Sequence, residues 1–179
     1  MDGLEFNVST LLRQDVGVFT DHVVETADSL DLDGLVTRHI AGRIRLTRTN
    51  FGVLAHARLD TALDLECDRC LDQYETHVLA DFSEEYLPVI DVSTGRPVQS
   101  ERSDETFFIS PNHIVDLTEA ARQYTLLAVP MHRICRNDCR GLCAICGVNK
   151  NTTNCTCAVV LDSPLSALAV LLTDADKES

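Results

Sequence analysis

The stretch 53-VLAHARLDTALDLECDRC-70 runs in a two-residue period and ends on a pair of cysteines. In an extended chain successive side chains point to opposite faces. Val53, Ala55, Ala57, Leu59, Leu63 and Leu65 therefore share one side, and His56, Arg58, Asp60, Asp64 and Glu66 the other. This is the pattern of a half-buried strand. The run before it, 37-TRHIAGRIRLTR-48, repeats the pattern with Ile40, Ile44 and Leu46 opposite His39, Arg43, Arg45 and Thr47. Between the two, 49-TNFG-52 supplies the Asn and Gly of a tight turn. In 73-QYETHVLADF-82, Tyr74, Thr76, Val78, Ala80 and Phe82 form a third inner row. An antiparallel meander with one face in need of a cover follows, and 19-FTDHVVETA-27 reads as an earlier strand.

The cover comes from 116-DLTEAARQYTLLAV-129. Asp116 is placed to cap a helix, Glu119 follows three residues later, and Pro130 stops the run. Leu117, Ala120, Tyr124, Leu127 and Ala128 form its expected core stripe. A short strand is expected at 106-TFFIS-110, and residues 88–104 are expected to form a loop of little structure. In 162-DSPLSALAVLL-172, Ser163 as N-cap and Pro164 in the first turn predict a short closing helix. The fold class is α+β: an antiparallel meander covered by one or two helices, with a cysteine-rich module after it. The expected divisions are a sheet-and-helix domain over 1–130, a metal-binding module over 131–160, and a closing helix with an acidic tail over 161–179.

Six of the eight cysteines fall between Cys135 and Cys157. Cys143 and Cys146, followed by Gly147, have the spacing of a zinc knuckle, whose amides turn toward the sulfurs. Cys155 and Cys157, two apart, point the same way in an extended segment and complete a first set of four. Cys67 and Cys70 at the meander corner, with Cys135 and Cys139 on one face of a helical turn, make a second set. Spacing leaves open an exchange that pairs Cys67 and Cys70 with Cys143 and Cys146, and His132 can replace Cys139. The segment from Arg133 to Cys157 has few large apolar residues. Ordering it costs roughly 1–2 kcal/mol of backbone entropy per residue, whereas a structural zinc contributes about 10–16 kcal/mol in small peptides. One or two structural zinc ions are therefore expected, in preference to an iron–sulfur cluster, disulfides or redox thiols. A catalytic zinc keeps an open position and usually recruits His or carboxylate, whereas eight cysteines divide into two closed sets.

With 28 acidic side chains against 15 Lys and Arg, the formal charge is -13. That argues against coating nucleic acid by bulk electrostatics. The charge is uneven: residues 1–130 hold 23 acids and 10 bases, whereas Arg133, Arg136, Arg140 and Lys150 face Asp138 alone in residues 131–157. No apolar run approaches the roughly 18 residues of a membrane span. No secretory leader is apparent, so the expected location is the cytoplasm. No metalloprotease, nucleophile-elbow or phosphate-loop motif occurs, and the six His are scattered. His39, His56 and His77 share the outward rows with Arg43, Arg45 and Arg58; they read as plain surface, with a polar binding strip across the meander as the alternative. No enzymatic activity and no small-molecule substrate are expected.

The combination of 65-LECDRCLDQYE-75, 116-DLTEAARQYTLLAVPMHRIC-135 and 139-CRGLCAICGVNKNTTNC-155 resembles the bacterial YceD-like family of large ribosomal RNA subunit accumulation proteins, over residues 35–172. Its most specific marks are the C-x-R-C corner, here Cys67, Arg69 and Cys70, and the G-L-C-x-x-C-G knuckle at Gly141 to Gly147. The resemblance implies a cytoplasmic accessory protein for accumulation or processing of large-subunit ribosomal RNA, not an enzyme. Family members that keep the corner and a cysteine like Cys135 while lacking the knuckle imply that the knuckle site is a separate unit. This chain departs from the family at Lys150-Asn151, where Leu-Asn is common, and at 162-DSPLSAL-168, where a basic residue usually follows Asp-Pro. The expected function is docking on ribosomal RNA of the large subunit or on a ribosomal protein, with Arg69, Arg133, Arg136, Arg140 and Lys150 as contacts. The alternative is an acidic protein-interaction adaptor that touches no RNA; a thiol redox protein is a distant third.

Overall fold

The computed structural model describes residues 3–27, 29–32, 34–98 and 107–157. The chain divides into two compact units, Met1–Glu66 with Gln73–Arg133, and Cys67–Asp72 with Ile134–Ser179. The corner Cys67–Asp72 thus groups with the cysteine-rich segment, although 61 residues separate Asp72 from Ile134 in the chain. A linear cut at residue 130 does not capture that.

In order, the elements are β1 (Glu5–Asn7), α1 (Ser9–Leu12), β2 (Phe19–Thr26), β3 (Asp31–Leu32), β4 (Leu35–Arg48), β5 (Val53–Glu66), β6 (Gln73–Pro88), β7 (Phe107–Ile109), β8 (Ile114–Asp116) and α2 (Thr118–Ala128). A six-stranded sheet runs β2-β4-β5-β6-β7, with β3 added to β4, and β1 and β8 form a separate two-stranded sheet. The three long strands form the expected meander: β4 pairs antiparallel with β5, and β5 with β6 from Val53↔Tyr86 to Glu66↔Gln73. The two-residue period decides which side is buried. Ile40, Ile44, Leu46, Leu59, Leu63, Leu65, Val78, Ala80 and Phe82 are all in the core. At 49–52 the Thr49 hydroxyl accepts the N–H groups of Phe51 and Gly52, which closes the predicted turn. A Cβ on Gly52 would fall 2.0 Å from the Tyr86 carbonyl oxygen, so only glycine fits.

Four features differ from the expectations. First, β7 runs parallel to β6, so the sheet is mixed. Second, β4 carries a bulge between Thr37 and Ile40, where three steps on β4 match two on β5. It switches the buried phase from Thr37 to Ile40, and the Thr61 hydroxyl donates to the His39 carbonyl within it. Third, residues 89–98 form a hydrogen-bonded turn in which the Asp91 carboxylate accepts the amides of Ser93 and Thr94, and Ile90 bridges Pro97. Fourth, Leu127 is 77% exposed, whereas Ala121 and Thr125 are buried. At about 100° per residue, Leu127 lies at the rim of the arc centred between Leu117 and Ala128.

Helix α2 packs on β6 through Tyr124, which stacks on Phe82 at 4.8 Å and donates its hydroxyl to Glu84. Leu117 occupies the N-cap position, and the Asp116 carboxylate accepts the Thr118 amide; Glu119 binds Arg122 and Gln123 rather than reaching back. Among the described residues no helix is long and apolar enough to cross a membrane. The closing helix expected over 162–172 and the acidic tail lie outside the described residues, as does the part of the expected loop from 99 to 104.

Candidate metal centres

The second unit gathers its eight cysteines into two sets of four. Cys67, Cys70, Cys135 and Cys139 form one, and Cys143, Cys146, Cys155 and Cys157 the other; within each, the sulfurs all lie within 4.8 Å of one another. No set mixes the corner pair with the knuckle pair, and His132 joins neither.

The corner is built by the connection between β5 and β6. Cys67 donates its amide to the Asp72 carbonyl, and Leu71, at φ 60, donates back to Cys67. Cys135 and Cys139 were expected on a helical turn. Instead, residues 131–140 hold no helix, and Cys139 is brought round by its amide bond to the Arg136 carbonyl. The Sγ of Cys67 lies 3.9 Å from that of Cys139, and Cys70 lies 3.7 Å from Cys135. A tetrahedron with metal–sulfur bonds of about 2.3 Å has edges of about 3.8 Å. A disulfide would need about 2.05 Å, and all eight cysteines are free.

The knuckle closes through two backbone bonds. Cys143 donates to the Val148 carbonyl, and Gly147, at φ 72, donates to the Cys143 carbonyl. Gly141 stands at φ 67 where a Cβ would come within 2.9 Å of the Arg69 carbonyl oxygen, and that oxygen accepts the Leu142 amide. Two asparagines lace the unit further. Asn151 donates its side-chain amide to Cys139 Sγ at 3.3 Å and accepts the Arg140 N–H at 2.8 Å. Asn149 donates to the Asp72 carboxylate at 2.7 Å. The segment between the knuckle and its last two cysteines therefore supplies a ligand-sphere contact to the other set.

The electrostatics of both sets suit a cation. Burial pushes the Cys67 thiol up, but the backbone amides of Cys135, Cys70 and Arg69 outweigh it and leave it at about 6. The amides of Cys146 and Ile145 bring Cys143 to about 6, and Asn151 lowers Cys139. Their neighbours move the other way. Contact with Cys146 pushes Cys157 to about 11, and the Cys143 thiol raises Cys155. Cys135 is raised by burial; in Cys70 the Asp72 amide is outweighed by burial and the surrounding thiols. Oriented amides favour thiolate, yet crowded thiolates hold one another protonated until a dication neutralises them. Either set can hold a closed tetrahedral metal ion. Their exposure differs: Cys67, Cys70 and Cys139 are buried, whereas Cys146 and Cys157 are exposed.

The basic residues of this region have unequal surroundings. Arg69 donates to the Cys139 carbonyl at 3.1 Å, and Arg136 lies 3.4 Å from Asp138. Arg140 and Lys150 line a groove of about 220 Å³ with Thr153, Asn154, Cys155 and Cys157. Arg133 ends the first unit and is half-buried.

Comparison with known proteins gives this geometry a context. A family model described as "Large ribosomal RNA subunit accumulation protein YceD" matches residues 55–172. "Large ribosomal RNA subunit accumulation protein YCED homolog 1, chloroplastic" from Zea mays is 34% identical over 55 residues, which cover 30% of this chain and 19% of that protein. The chain thus spans about a fifth of the length of that curated relative. No solved structure matches the chain. The family model takes in the β5–β6 corner, α2 and all eight cysteines, and with well over half of its residues matched the chain belongs to the YceD family.

Proposed function

We propose that the chain is a non-catalytic accessory factor for accumulation and processing of large-subunit ribosomal RNA, acting in ribosome assembly in the cytoplasm. Two zinc ions, held by Cys143, Cys146, Cys155 and Cys157 and by Cys67, Cys70, Cys135 and Cys139, would fix the cysteine-rich unit. Zinc would be held there by four thiolates in a closed centre, with no position left for a substrate. The observation that carries this reading is the convergence of eight cysteines into two tetrads, each with its sulfurs within 4.8 Å of one another, in a chain whose family is described by accumulation of ribosomal RNA. Arg69, Arg133, Arg136, Arg140 and Lys150 would contact RNA phosphates or a ribosomal protein beside them. Arg69 would hold the corner at the same time, since one of its donors is spent on Cys139.

A salt titration of the zinc-loaded chain against a large-subunit RNA fragment tests this. RNA docking predicts affinity that falls with salt by roughly 0.7–0.9 log units per log unit of salt for each phosphate neutralised. It also predicts a weaker, shallower curve for Arg136→Gln/Arg140→Gln. A chain that ignores RNA but binds a basic ribosomal protein tightly would instead support the acidic adaptor, for which the charge of -13 speaks.

A further inference from the structure

The outer face of the large sheet carries cations that the metal-centred reading leaves unused. The strand register sets Val23, Arg43, Arg58 and Asp81 in one row across β2, β4, β5 and β6, and Asp21, Arg45, His56 and Ser83 in the next. In the second row the charges are satisfied. Arg45 makes two bonds to Asp21, at 2.7 and 3.0 Å, and lies over the Phe19 ring at 4.3 Å; His56 meets Ser83 at 2.9 Å. In the first row Arg43 and Arg58 stand directly opposite each other, both exposed. Neither has an ion pair or side-chain hydrogen bond among the described residues. Like charges directly opposite on adjacent strands destabilise a sheet. In a chain with 28 acids to 15 Lys and Arg, such a pair is the reverse of the background.

The surroundings fit a polyanion. Arg43, Arg45, Arg58 and His56 line a groove of about 410 Å³, together with Asp21, whose carboxylate is taken up by Arg45. Val23, 80% exposed, lines it as well and offers an apolar contact of the kind that suits the sugar and base edges of a nucleic acid. The two helices among the described residues pack toward the core, on the opposite side of these strands. Charge adds a second argument. A tetrathiolate zinc centre carries a formal charge of -2, so two of them would cancel most of the charge of the basic residues in the cysteine-rich unit. In their own row Arg43 and Arg58 meet a single acid, Asp81 on β6.

We propose that the opposed guanidinium groups of Arg43 and Arg58 form an RNA phosphate-binding site, a second contact surface on the sheet. It rests on the RNA-docking reading above. The free protein bears the repulsion between the two guanidinium groups, and a phosphate seated between them relieves it by accepting from both.

The test uses the full, zinc-loaded chain and fluorescence anisotropy with a large-subunit RNA fragment. Arg43→Gln/Arg58→Gln is expected to weaken binding about tenfold or more near 0.1 M salt, and to lower the salt slope by roughly 0.7–0.9, the share of the one phosphate they hold. The charge-preserving Arg43→Lys/Arg58→Lys variant recovers most of that slope. Arg38→Gln/Arg122→Gln removes the same charge from positions paired with Asp64 and Glu119, and stays within twofold of the parent. If the parent binds RNA and the sheet variant matches it, or matches the Arg38/Arg122 control, the site is overturned while RNA docking stands. A parent that does not bind RNA overturns both.

Discussion

Replacing Asn151 by Ala removes the amide donor to Cys139 Sγ and the acceptor for the Arg140 N–H. The geometry makes this a test of whether the two cysteine sets act together, because Asn151 lies between Cys146 and Cys155 of one set yet touches a ligand of the other. The donor lowers Cys139 toward its thiolate, the form a metal requires. Partners of this kind around metal ligands are typically worth about 10- to 100-fold in affinity. The expected result is a loss of that size confined to the set of Cys67, Cys70, Cys135 and Cys139. Asn151→Asp separates the two roles: it keeps an acceptor for Arg140 but has no donor, so it should weaken the same site as much as Ala or more. Competition with a chromophoric chelator, with cobalt absorption reporting each tetrathiolate, resolves two binding steps. Two steps unchanged in Asn151→Ala would refute the coupling, and equal weakening of both would show general loosening instead.

Gly141→Ala should cost about 1–2 kcal/mol for its left-handed backbone, plus a clash with the Arg69 carbonyl 2.9 Å away. Gly147→Ala has the same backbone sign but open space around it, so equal destabilisation of the two in urea denaturation would contradict the contact. In metal-free protein, Cys67 and Cys143 titrate in the folded state at about 6 rather than near the ordinary 9.0, so their thiolates favour folding fully above pH 9. That contribution fades as the pH falls toward 6 and is gone below it; stability of the reduced, metal-free chain that stays flat from pH 9 to 5 would be inconsistent with the amide-stabilised thiolates. Leu59→Ala, at a side chain 1% exposed in the middle of β5, should lower unfolding free energy by about 2–5 kcal/mol in a denaturant titration, and a loss below 1 would mean the core is not where the strand pattern puts it.

The three long strands were legible because one buried face imposes an unbroken two-residue period from Val53 to Leu65 and from Tyr74 to Phe82. Short pairings were not. β1, β3 and β8 have two or three residues each, too few for a period, and are fixed by tertiary partners such as Phe6↔Val115. The parallel direction of β7 depends on the path taken after Pro88, which no local pattern encodes. The bulge at Arg38–His39 left one trace, the change from an odd buried position at Thr37 to even ones from Ile40. For the knuckle, spacing pointed to the grouping of the cysteines but left open an exchange with Cys67 and Cys70. For the corner it was a matter of topology, and the helical turn read from Cys135 and Cys139 is a bend instead. The contacts of Asn149 and Asn151 have no local signature, because asparagine in a polar run signals only a turn, while their amides meet Asp72 and Cys139 through the tertiary fold.

Metal content of freshly purified protein, measured by native mass spectrometry with elemental analysis, bears most directly on the whole account. Two zinc ions per chain are expected, with a chelator stripping them in two steps and unfolding the cysteine-rich unit. A chain that carries no metal as isolated, takes up none when offered zinc under reducing conditions, and keeps its circular dichroism in chelator would contradict it.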